Sequence, residues 1–337
     1  MSRVVDVHAH VLVSAAEALL ANEPGLAAER AADAGGADAA SAAVNRDQMT
    51  RLLPALTDPA ARLAAMDDAG VDVQLVSPMP LHHYWAGRDL AVKFSALTNE
   101  GVLEHCAAAP DRLVGLGTVP LQHPDLAVEV LDRAVADGLR GVEVSTHVAG
   151  RELSDESLAA FWARAEALGA VVFVHPWGCT LGERLATAYL SNIVGQPAET
   201  TIALSRIVFS GLLDRHPRLK ILAAHGGGYL PGYLGRGDHA WRVRPESRTC
   251  AHQPSSYLRR MWFDALVYTP DTLRALVTAV GPDRVLLGTD YPFDMGITDP
   301  LDRLTHACLP PKAAEAIRSG NARALLGSLP GTQEVPT

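Results

Sequence analysis

Basic residues are in the minority: 29 Lys and Arg stand against 38 Asp and Glu, for a formal net charge of −9. Such a chain offers no general cationic face to nucleic acid or to an anionic membrane, although a local cationic pocket remains open to it. Cysteine is equally sparse. Cys106, Cys179, Cys250 and Cys308 are scattered without a CxxC pair, which argues against a disulfide framework or a thiolate zinc site. No apolar run approaches the roughly 18 residues that a bilayer span needs. The opening MSRVVDVHAH lacks the basic, apolar and cleavage regions of a signal peptide. A soluble, cytoplasmic protein is expected. The 337 residues show no internal repeat and no dividing linker, so a single domain over 1–327 with a frayed tail over 328–337 is expected.

What the chain does have is a rhythm. Short apolar or β-branched runs at 3–8, 71–78, 113–120, 140–147, 170–176, 219–226, 260–267 and 284–292 alternate with longer Ala-rich amphipathic stretches. Runs that are apolar almost throughout suit parallel strands covered on both faces. Eight of them alternating with helices predict an α/β fold, a (β/α)8 TIM barrel, with the doubly wound open sheet as the alternative. Two gaps exceed a single helix. Residues 11–58 are expected to form a lid-like insertion over the barrel mouth, and 177–218 a helical insertion after the fifth strand.

The conspicuous polar residues fall at the carboxyl ends of these runs: His8 and His10 at the first, His175 at the fifth, His225 at the sixth, Asp290 at the eighth. In a parallel barrel those ends share one rim, where active sites are built. Strand positions two apart point the same way, so Ala9 lets His8 and His10 aim at one point. His8, His10, His175 and Asp290 therefore make a candidate site for one divalent ion, zinc by default, with manganese, iron or cobalt open. No lysine ends the fourth or fifth run to carry a bridging carbamate, which favours one ion over two. His225 opens HGGGYLP and is the candidate general acid or base beside the ion. His82, His83 and His147 also follow strand ends and are either pocket-lining or idle rim residues.

These residues in this order resemble the amidohydrolase superfamily. Within it they are most similar to the decarboxylating family typified by 2-amino-3-carboxymuconate 6-semialdehyde decarboxylase. The segments that carry the resemblance are MDDAGVDVQLVSPMP (66–80), FVHPWG (173–178), GQPAETTIALSRIVFSGLLDRHPRLKILAAHGGG (195–228), LGRGDHAW (234–241) and LLGTDYPFDMG (286–296). The similarity runs from DVHAH to about residue 327. It implies a mononuclear zinc enzyme that removes CO2 from an unsaturated or aromatic carboxylic acid without an organic cofactor. His8, His10, His175 and Asp290 take its ligand positions and His225 its catalytic one. Arg236 matches an arginine that such homodimers insert into the neighbouring pocket to hold a carboxylate, and Trp177 and Phe293 match residues lining that pocket. The chain also departs from the pattern. Thr50 stands where a second carboxylate-binding arginine is expected, with Arg51 one place later and Arg46 a little upstream. Gly178-Cys179 follows HPW in place of Asp-Met. The implied activity is nonoxidative decarboxylation, with His225 or Asp290 as the proton donor. The alternative on the same site is hydrolysis of an amide, ester or lactone, or hydration of a double bond.

Overall fold

The computed structural model describes residues 2–35 and 37–329. Its strands are β1 (Val5–Val11), β2 (Val73–Pro78), β3 (Leu113–Gly115), β4 (Gly117–Thr118), β5 (Gly141–Val144), β6 (His147–Val148), β7 (Arg151–Glu152), β8 (Val171–Val174), β9 (Lys220–Ala223), β10 (Trp262–Asp264) and β11 (Val285–Leu286). The fold is α/β with two parallel sheets, ordered β1-β2-β3 and β11-β10-β9-β8-β5-β4, beside a small antiparallel pair, β6-β7. Only Leu116 separates β3 from β4, so the run expected over 113–120 contributes to both sheets.

The apolar runs sort into two cores. Val5, Val7, Val73, Leu75, Val171, Phe173, Leu222 and Leu286 pack together, and Leu325, Leu326 and Leu329 close that cluster from below. Val11, Val76, Val142, Val144, Val172, Val174 and Ile221 pack instead against the surrounding helices. Alternation along a strand explains the division. β1 breaks it once. Asp6 pairs with Gln74 but Ala9 with Val76, so β1 carries one extra residue, a bulge. The bulge turns His8 toward the same interior as Val7, where its ring meets Phe173 at 5.0 Å.

Residues 11–58 are mostly helical, as Ser14–Leu20, Pro24–Gly35 and Ala39–Thr57. Residues 177–218 hold the helices Gln196–Phe209 and Leu212–Arg215 behind shorter turns. The first strand runs further than the sequence suggests, to Val11, so both its histidines lie inside it. The last is shorter, ending at Leu286. Beyond it the chain still follows β1, with Val7 N–H donating to Leu287 O (2.9 Å) and Asp290 N–H to His8 O (2.8 Å). Regular strand cannot continue because Asp290 adopts φ +59. Of the tail expected over 328–337, Leu329 is buried and 330–337 lie outside the described residues.

Candidate metal centre and active site

Four side chains converge above the inner core. Ligand atoms of His8, His10, His175 and Asp290 all lie within 4.8 Å of one another, and all four residues are buried. Asp290 Oδ1 is 3.3 Å from Nε2 of both His8 and His10. The His175 ring centroid lies 5.0 Å from that of His8 and 4.9 Å from that of His10. His175 is buried with neither ring nitrogen hydrogen-bonded, and Asp290 Oδ1 is likewise unsatisfied among the described residues. Orphaned buried groups of this kind suit a cation as their partner. Three imidazoles and one carboxylate suit a first-row divalent cation.

The electrostatics agree. Burial works against a charged His8, yet Asp290 and Asp264 outweigh it and raise the imidazole to about 10. Burial would raise Asp290, but His8, His10 and His225 hold it well below the usual carboxylate range. His175, desolvated and beside His10, His225 and His8, is driven well below its ordinary value and offers a free lone pair. The cluster as built attracts positive charge at its centre, which is what a cation supplies.

The ligands on β1 are fixed from behind. His8 Nδ1 lies 2.7 Å from Asp264 Oδ2, at the end of β10. Asp264 also accepts from the backbone N–H of His225 (2.9 Å), Gly226 (2.9 Å) and Leu266 (3.1 Å). His10 Nδ1 is 3.0 Å from Pro78 O. Such outer partners orient an imidazole and set which nitrogen faces the metal. Behind the strand, Asp6 accepts from His8 N–H (3.0 Å), Thr289 N–H (3.0 Å), Thr289 Oγ1 (2.6 Å) and Gln74 Nε2 (2.8 Å). Arg62, fully buried, donates to Gln74 Oε1 (2.7 Å), His105 Nε2 (2.8 Å) and His10 O, and lies over the Tyr291 ring.

His225 sits at the start of a tight turn, His225–Gly227, with φ +53. The three glycines after it have φ +62, +77 and +63, and a Cβ on Gly228 would come within 2.2 Å of Pro197 O. Only glycine tolerates that path. The turn brings His225 Nε2 to 3.6 Å from Asp290 Oδ2 and its ring to 5.0 Å from His175. Phe293 stands 5.4 Å from the His10 ring, and Trp177 keeps a buried Nε1 with no partner among the described residues.

The arginines are elsewhere. Arg46 and Arg51 are exposed on Ala39–Thr57, with Arg51 Nε donating to Asp47 at 2.9 Å, and Arg236 is exposed on the helix Gly235–Val243. Within one chain they form no part of the buried cluster. Sequence reading overlooked Asp264, Asp6 and Arg62, and also Glu143, a fully buried carboxyl 3.6 Å from His10 Nδ1 and 3.7 Å from His82 Nε2. An acid inside an apolar run, as in MWFDALV or RGVEVSTH, was the available signal. His147 is only partly buried and pairs in β6-β7.

The chain resembles known proteins over nearly its whole length. The amidohydrolase family profile matches residues 5–328. The 2-amino-3-carboxymuconate-6-semialdehyde decarboxylase of Dictyostelium discoideum is 35% identical over 243 residues, covering 71% of this chain and 68% of its own. The solved 5-carboxyvanillate decarboxylase of Sphingomonas paucimobilis superposes with a TM-score of 0.83 at 24% identity, covering 97% and 99% of the two chains. A dihydroxybenzoic acid decarboxylase from Polaromonas, solved with bound manganese and 2-nitroresorcinol, gives 0.79 at 23% identity over 97% of each chain. The chain belongs to the amidohydrolase family, among its metal-dependent, nonoxidative decarboxylases.

Proposed function

We propose that the protein releases CO2 from an unsaturated or aromatic carboxylic acid, using one divalent ion held by His8, His10, His175 and Asp290 and no organic cofactor. The observation that carries this reading is the convergence of those four ligand atoms beside the His225–Asp290 pair. Zinc suits the donor set, and the manganese of the Polaromonas neighbour makes that ion the other candidate. When bound, the ion serves as Lewis acid and template for substrate oxygen atoms.

The chain's own residues supply the rest. Loss of CO2 breaks a carbon–carbon bond and leaves the electron pair on carbon, which must then take a proton. His225 and Asp290, with Nε2 and Oδ2 3.6 Å apart, are the two groups beside the cluster that can deliver it. Asp264 fixes His225 through its backbone N–H. Phe293 and Trp177 offer flat apolar walls to a planar acid.

We assign the substrate carboxylate to Arg236 of a neighbouring copy in a homodimer. Tyr229, Tyr233 and Ile193 are 48%, 70% and 50% exposed on nearby segments, an apolar surface that a second copy would cover. Arg51 and Arg46 would have to swing inward to hold a second carboxylate. We further read the two parallel sheets as one closed (β/α)8 barrel forming a single domain, with 11–58 as its lid. The parallel bridge Ala9–Tyr291 and the bonds from β1 to Leu287 and Tyr291 support closure. No helix among the described residues is long and apolar enough to cross a membrane.

The test is CO2 release by metal-replete protein from 2-amino-3-carboxymuconate 6-semialdehyde, 5-carboxyvanillate and dihydroxybenzoates. His225→Ala should keep its ion and lose turnover. A metal-loaded protein that decarboxylates none of these while hydrolysing an ester or amide would refute the reading.

A further inference from the structure

The helices that follow β1 are gripped at a buried cluster outside the metal centre. His83 is 2% exposed and adopts φ +47. Its Nδ1 lies 2.5 Å from Glu29 Oε2, and its Nε2 lies 3.7 Å from Glu17 Oε1. Glu17 belongs to the helix Ser14–Leu20 and Glu29 to Pro24–Gly35, so one imidazole meets both. Its ring packs edge-on against Phe94 at 5.0 Å and Trp85 at 5.8 Å. Trp85 in turn lies flush against Gly25, where a Cβ would stand 2.1 Å from the indole. Only a glycine lets that helix dock so closely.

The neighbours of His83 face other partners. The His82 ring stacks on Tyr84 at 5.3 Å, its Nδ1 is 3.3 Å from Thr118 Oγ1 and its Nε2 3.7 Å from Glu143. Tyr84 Oη accepts from Ser145 N–H at 3.4 Å. Glu143 leads on to His10, a metal ligand. The same excursion is tied again where Asp38, capping Ala39–Thr57, accepts from Ala188 N–H at 3.2 Å.

We propose that His83 is a positioning residue: clamped between Glu17 and Glu29, it registers the helices after β1 against the pocket wall of His82, Tyr84 and Glu143, and so shapes the entrance for the acid. This rests on the metal centre being the active site. The clamp works by charge. Burial disfavours the imidazolium, but Glu17 and Glu29 outweigh it and keep the ring protonated up to about 9. Without that proton, two carboxylates would face each other across a neutral ring.

Hydrogen exchange on the metal-replete protein tests this. His83→Gln keeps polarity and loses charge. Exchange across 14–35 should rise about tenfold or more, while metal content stays at the wild-type level. For an acid that is turned over, KM should rise about tenfold with kcat within about twofold. Exchange and metal content are read without turnover, so failure to find any decarboxylated acid would count against the functional reading and leave the clamp standing. Unchanged exchange in 14–35 overturns the clamp, as does a uniform rise across all helices, which marks a plain stability role. A local rise with unchanged KM overturns the link to the entrance. Should His83→Gln not fold, Glu29→Gln removes the nearer carboxylate from a half-buried position and must give the same local rise.

Discussion

The two flanks of the metal centre are built on opposite terms. On the β1 and β10 flank the groups that hold the ligands have partners: Asp6 accepts four hydrogen bonds, Asp264 holds His8 and the His225 turn, and Arg62 binds the carbonyl of His10. On the β5 and β8 flank polar atoms are buried without partners among the described residues: both nitrogens of His175, both carboxyl oxygens of Glu143, Nε2 of His82 and Nε1 of Trp177. The first flank fixes geometry before anything binds. The second keeps its hydrogen-bonding capacity for what does bind. A rigid half and a receptive half are what an ion and an acid sharing one pocket require.

Removing a ligand should do the most damage. His175→Ala takes one donor from the receptive flank, and turnover should fall by about a thousandfold or more, as with stripping the ion by chelation. Metal analysis and CO2 release check both, and re-adding the ion must rescue the chelated wild type. A variant that stays active and loaded would show that His175 is no ligand.

The next largest effect falls on the rigid flank and on stability. Arg62→Ala leaves Asp6 buried with one fewer link to a positive charge, and His10 O, Gln74 and His105 without their donor. Breaking a buried charged network from one side costs about 3–5 kcal/mol, read as a lower denaturation midpoint. Arg62→Lys should recover part of this, since one ammonium cannot reach three acceptors spread in a plane.

Asp264→Asn sharpens the comparison without collapsing it. The amide oxygen can still accept from the N–H groups of Gly226 and Leu266, but an uncharged NH2 replaces the oxygen that faced His8 Nδ1 and accepted from His225 N–H. Metal affinity should drop by about ten- to a hundredfold, measured by competition with a chelator. Unchanged affinity would mean that the β1 ligand needs no support.

The ligands on both flanks and His225 were legible in the sequence; the groups that hold them in place were not. His8, His10, His175, His225 and Asp290 stand out because polar residues at the ends of apolar runs have a single geometric meaning in a parallel α/β fold. Arg62 reads as one more charge on an amphipathic helix, and its burial depends on Gln74, His105 and a backbone carbonyl that no local pattern places together. The β1 bulge is hidden for the same reason, because it exists only relative to the register of β2. Arg46, Arg51 and Arg236 show the converse. The segment of Arg236 matched and Arg46 and Arg51 lie beside a position that departs from the pattern, yet all three are exposed within the single chain.

The last effect is one of stability alone and tests whether unpartnered groups on the receptive flank carry a cost. Burial pushes Glu143 up from its ordinary 4.5 to about 7, although nearby His10 pulls the other way. Because the folded value exceeds the unfolded one, the folded chain keeps a proton that the unfolded chain has released between pH 4.5 and 7. Its contribution to stability is therefore present in full below 4.5 and is lost as pH rises through 7. Glu143→Gln cannot ionise, so its stability relative to wild type should climb across that window by about 2–3 kcal/mol. Paired denaturant titrations of the metal-loaded proteins at the two ends of the window measure the difference. A constant difference at both ends would mean that Glu143 titrates alike in the folded and unfolded chain, and that it has a partner after all.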